Sequence, residues 1–137
     1  MNTLTKMVII FAMTAILPAC SGSAEKPFLT VEESLVIKGY TVVGPVNSIS
    51  DHRINGWSYV NDKFIIINAG VRDDYLIGLR HNCHEARSAM NLGFTNVTGR
   101  LTTADKLIVK APGGFTEHCY IKSITRLERV RKKDSDN

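Results

Sequence analysis

The sequence predicts an α+β domain: a small curled antiparallel sheet of about five strands, one short helix between strands three and four, and an N-terminal helical turn. Three observations carry this reading. Short apolar runs, some alternating with period two, are separated by Gly, Asn, Asp and Pro. Their order is three strands, one helix, two strands (βββαββ), which OB-like barrels share. Two segments, "TVEESLVIKG" and "NCHEARSAMNLG", begin and end with helix-capping residues. The spacing leaves a closed barrel and an open sheet as alternatives, and 137 residues allow one domain.

The first helix takes Thr30 as N-cap, Glu33 as capping-box partner three residues on, and Gly39 as the stop. "TVVGPVNSIS" then turns extended, because Pro45 keeps Gly44 out of the helical region, and Val46 and Ile49 are available for burial. "GWSYV" (Gly56–Val60) reads as the first strand, with Trp57 and Tyr59 on one face, and Asn61-Asp62 as its hairpin turn. "KFIIINAG" is apolar on both faces, Phe64 and Ile66 one way, Ile65 and Ile67 the other, which suits a central strand. Gly70 to Asp74 reads as a polar turn. "YLIGLR" (Tyr75–Arg80) is the third strand, with Gly78 marking a bend or bulge.

The short helix follows, with Asn82 as N-cap, Glu85 as capping-box partner, and Cys83, Ala86 and Met90 as its apolar stripe. "KLIVKA" (Lys106–Ala111) is the fourth strand and "EHCYIKSITRL" (Glu117–Leu127) the fifth. In the fifth strand the apolar spacing changes from two to three, which predicts a bulge near Lys122-Ser123.

The N-terminus stands outside this domain. Lys6 precedes the uncharged run "MVIIFAMTAIL", too short to span a bilayer but fitting a signal-peptide core. The run ends in "LPAC", Leu17 to Cys20, which resembles the lipobox of bacterial lipoproteins. That resemblance implies cleavage before Cys20, lipidation of its thiol and acylation of its new amine, giving stable membrane anchoring. Secretory cleavage after "GSA" (Gly22–Ala24) is the alternative. Ser21, in place of an aspartate, favours the outer membrane by resemblance to enterobacterial sorting. The expected organisation is a lipoprotein signal peptide over 1–19, a lipid-anchored tether over 20–27, the domain over 28–128 and a basic tail over 129–137.

Most of the positive charge crowds the C-terminus, in Arg126, Arg129, Arg131, Lys132 and Lys133, offset by Glu128, Asp134 and Asp136. The body carries no electrostatic footprint for nucleic acid. The membrane, through the anchor, is the expected partner, an envelope protein is a further partner this reading allows, and no cofactor is implied.

Three histidines and two cysteines cluster in "RHNCHE" and "EHC". With Cys20 committed to lipid or removed, Cys83 and Cys119 form an even pair, which in an oxidising envelope reads as a disulfide. It would close a loop of about 37 residues, worth roughly 3–4 kcal/mol in the chain-entropy model. A thiolate metal site and a Cys–His nucleophile compete for the same sulfurs. No C-x-x-C, H-x₃-H or H-E-x-x-H spacing supports the metal, and no oxyanion motif supports the nucleophile. A disulfide could still draw His81, His84 and His118 together into a metal or pH-responsive cluster. Glu85 is accounted for as a cap and Asp73-Asp74 as turn residues. Trp57, Tyr59 and Tyr75 are either sheet-core positions or a ligand-binding face. Without a coherent catalytic constellation, the function expected is a non-catalytic binding or structural module of the envelope.

From about Val46 to Leu127 the chain resembles a family of small secreted proteins and lipoproteins of proteobacteria that forms a domain of unknown function. The resemblance rests on "INGWSYVNDKFIIINAG", "YLIGLRHNC", "GRLTTADKLIV" with Asp105 before a strand, and "CYIKSITRL". It implies secretion and paired cysteines and brings no activity.

Overall fold

A computed structural model describes residues 29–50, 53–96 and 98–131. Cys20, the leader and the end of the basic tail lie outside them. Helix α1 (Val31–Ile37) is built as its sequence specifies. The Thr30 side chain accepts the Glu33 N–H, the Glu33 carboxylate accepts the Thr30 N–H, and Gly39 leaves the helix at φ +80°.

Nine strands follow among the described residues, not five. They are β1 (Tyr40–Pro45), β2 (Ser48–Ser50), β3 (Ile54–Asn61), β4 (Phe64–Ala69), β5 (Asp73–Leu79), β6 (Asn91–Phe94), β7 (Arg100–Thr102), β8 (Lys106–Lys110) and β9 (Thr116–Arg129). The main sheet runs β3-β4-β5-β9-β8-β6, entirely antiparallel, and curls into a nearly closed barrel. The four unforeseen strands are short or carry little burial. β1 leaves Val42 and Val43 more than half exposed and is held by backbone pairing to the edge of β9. β2 and β7 form a three-residue ribbon that brings Ile49 opposite Leu101, both buried.

The expected helix before strand four is only a 3-10 turn, His84–Arg87. Its N-cap is Cys83, with no side-chain cap bond, rather than Asn82, and Met90 is exposed. Competition from the sheet explains this. The Met90 N–H donates to the Lys110 carbonyl and β6 pairs with β8, so the chain is drawn into the ladder before a second helical turn can form. The first hairpin also turns one residue later than read, over Asp62-Lys63, because Asn61 pairs with Phe64.

The two-faced pattern of β4 determines where the core lies. Ile65, Ile67 and Ala69 join Ile77, Leu107, Val109, Ile121 and Ile124 inside the barrel. Ile66 points outward, where Leu35 of α1 covers it together with Leu76 and Leu127. Gly78 faces Ser123, and a Cβ there would collide with the Ser123 hydroxyl. The register then steps from Ser123 to Ile121, so Lys122 is the extra residue of a bulge where the change in apolar spacing placed it.

Asp73 and Asp74 belong to β5, not to a turn, and Arg129 is the last residue of β9, not part of the tail. Asp74 is 1% exposed. It accepts from Asn68 Nδ2 and from Arg129, whose Nη2 lies 3.0 Å from Oδ1. The hydrogen bonds and charge of Asp74 push the Arg129 pKa above its ordinary value. A buried carboxylate tolerates this position only while those donors remain. Replacement Arg129→Met should therefore cost about 1–3 kcal/mol in urea unfolding. Asp74→Asn in the same chain should recover part of that loss, because it removes the unpaired charge; no recovery would show that the charge is not the cause.

Candidate functional site

The cysteine pair sits where β9 meets the 3-10 turn. Cys83 and Cys119 are disulfide-bonded with Cα atoms 5.8 Å apart and a sequence separation of 36. Both are buried in the barrel core. The geometry around them is a closure of one barrel end. The Asp62 carbonyl accepts the Cys83 N–H at 2.7 Å, the Glu117 carboxylate accepts the Glu85 N–H at 2.8 Å, and Arg80 Nε donates to the Ile121 carbonyl. Glu117 on β9, rather than Glu85, thus caps this turn, a pairing across 32 residues that no local motif could announce.

The Asp62 side chain extends the same closure. It accepts the Tyr59 hydroxyl at 2.6 Å, and His84 Nδ1 stands 3.7 Å from its other oxygen. Arg87 lies over the Tyr59 ring, 5.9 Å from its centroid. The 3-10 turn thereby bridges β3 and β8, beside the gap between the two sheet edges. Burial, helped by the hydrogen bond to Asp62, raises the Tyr59 pKa, and Arg87 partly opposes this.

His81, His84 and His118 are exposed, and among the described residues their ring nitrogens form no cluster with one another. The potential ligands that do converge are Cys83, Glu117 and Cys119, within 4.8 Å of one another, and there the disulfide occupies both sulfurs. Trp57, Tyr59 and Tyr75 are half-buried and pack against the core. Trp57 and Tyr75 flank Ile67 in one cross-strand row, and Tyr59 alone of the three also borders an outer groove, shared with Leu29, Phe64 and Arg87. Asp105 serves the turn between β7 and β8: its carboxylate accepts both the N–H and the hydroxyl of Thr102.

The opposite end of the barrel carries a groove of about 560 Å³ between the β4–β5 turn and the β1–β9 pair. Arg72, Arg126, Arg129 and Arg131 line it, with Asp73, Glu128, Val43 and Val71. Asp73 holds Arg126 at 3.1 Å and Arg53 at 3.4 Å. No local motif announces this groove, because its arginines come from two segments more than fifty residues apart, the β4–β5 turn and the end of β9.

These features define a class: a disulfide-stapled, nearly closed antiparallel barrel with one helix on its outer face and an arginine-lined groove at the end away from the disulfide. The chain belongs to a family of unknown function, DUF6491, whose model matches residues 3–137. No curated protein and no solved structure matches it.

Two outcomes follow from the closed end. Replacing both cysteines by alanine should lower stability by about 3–4 kcal/mol in urea unfolding, and an unchanged midpoint would show the bond to be dispensable. In an ultraviolet titration, Tyr59→Phe should remove a component ionising above the ordinary tyrosine value of about 10. The fold favours the neutral phenol. Its contribution is therefore complete below about pH 10 and is lost as the pH rises through the higher folded value.

Proposed function

We propose that the protein is a lipid-anchored protein of the bacterial envelope, held through Cys20 in the outer membrane and facing the periplasm, and that it acts as a non-catalytic binding or structural module. The observation that carries this reading is the buried Cys83–Cys119 disulfide. Such a bond persists in an oxidising compartment, and export is what the apolar leader ending in "LPAC" would provide. The polar residues near the disulfide favour a structural role for that end, because Tyr59, Asp62, Arg87 and Glu117 are engaged in contacts that close the barrel. Among the described residues no helix is long and apolar enough to cross a membrane, so attachment in this reading falls to the lipid.

Radiolabelled palmitate should enter the wild-type chain and not Cys20→Ser, and the variant should leave the membrane fraction. A variant that stays in the membrane fraction without label would rule out the lipid anchor.

A further inference from the structure

We infer that the groove between Arg72 and Arg131 is an anion site that takes the phosphate monoester group of an organic molecule. Charge is the first argument. Across the groove, Arg53 and the aspartates beneath it, five arginines stand against Asp73, Asp74 and Glu128, a surplus of two positive charges. The internal pairs are already assigned. Asp73 engages Arg126 and Arg53, and Asp74 engages Arg129. Arg72 and Arg131 make no hydrogen bond or ion pair among the described residues, so two guanidinium forks remain available. A phosphate monoester carries close to two negative charges above its second pKa of about 6, which matches that surplus.

The apolar lining supplies the second argument. Val43 and Val71 are 58% and 86% exposed beside these arginines. A bare inorganic ion leaves them wet, whereas an ester with an organic group covers them. The groove's volume of about 560 Å³ also falls in the range of small-molecule sites.

The groove lies away from the point where the described chain begins. Leu29 borders the groove at the Asp62-Lys63 hairpin, whereas Val71 and Arg72 lie at the other end of β4. A six-residue strand separates the two by about 20 Å. The described chain therefore starts near the disulfide end, and the arginine groove lies at the other end of β4.

The test is calorimetric titration of the full chain in neutral detergent with inorganic phosphate and with phenyl phosphate, alongside flotation with vesicles of phosphatidylglycerol. Saturable binding is expected, at least tenfold tighter for phenyl phosphate than for inorganic phosphate, and weaker at pH 5.5 than at pH 7.5. Arg72→Gln with Arg131→Gln should weaken it at least tenfold at unchanged melting temperature, while Arg100→Gln on β7 should leave it intact. Arginine-dependent binding to vesicles alone would overturn the monoester assignment and point to a singly charged phosphodiester headgroup instead. Absence of binding to all three probes, or binding equal in wild type and the double variant, would overturn it. Loss of palmitate labelling with phosphate binding retained would sink the anchor and leave the site standing.

Discussion

The fold depends on one strand. β9 pairs with β5 along one edge, and on the other edge with β8 over its first half and with β1 over its last. The ladders that join the β3-β4-β5 meander to the β8-β6 pair all run through it. Its side chains alternate accordingly: Cys119, Ile121 and Ile124 enter the barrel, and Leu127 closes the outer core under α1. The bulge at Lys122 makes this alternation possible, because a strand paired on both edges for this length must twist, and the extra residue resets which side faces inward. Both ends of β9 are then fixed by contacts outside the ladder, Cys119 by the disulfide and Arg129 by the buried Asp74.

That arrangement gives the barrel two unlike ends. At one, the disulfide, the Glu117 carboxylate and Asp62 hold a 3-10 turn beside the gap in the sheet, so closure is achieved with few residues. At the other, β9 ends among arginines and aspartates, and the gap between the β4–β5 turn and β1 remains open as a groove. No buried side-chain polar atom among the described residues lacks a partner, so neither end stores an unpaired group. In a chain this short, the disulfide's share of net stability is large, which is why the closed end carries it.

What could be read in the sequence was what short-range chemistry specifies. Thr30, Glu33 and Gly39 define α1 within ten residues, the Phe64–Ile67 run announces a strand buried on both faces, and the spacing of Ile121, Ile124 and Leu127 contains the bulge. The cysteine pair is legible because an even count, read together with the expected export of the chain, points to a disulfide. What stayed hidden depends on partners far along the chain. β1 shows no apolar alternation because backbone bonds to β9, not burial, hold it. Asp74 resembles a turn residue until Arg129, 55 residues on, is seen to neutralise it. "NCHEAR" has every local sign of a capped helix, yet pairing of the next residues with β8 and a carboxylate from β9 outcompete it. His81, His84 and His118 are exposed residues around a structural bond.

The account turns on Cys83 and Cys119 being bonded to each other in the native protein. Intact mass of the chain isolated under acid quench, with thiol alkylation before and after reduction, tests this most directly. The structure predicts two alkylations that appear only after reduction, mapping to Cys83 and Cys119. Alkylation of either cysteine without reductant would contradict the closed barrel end and the proposed oxidising compartment together.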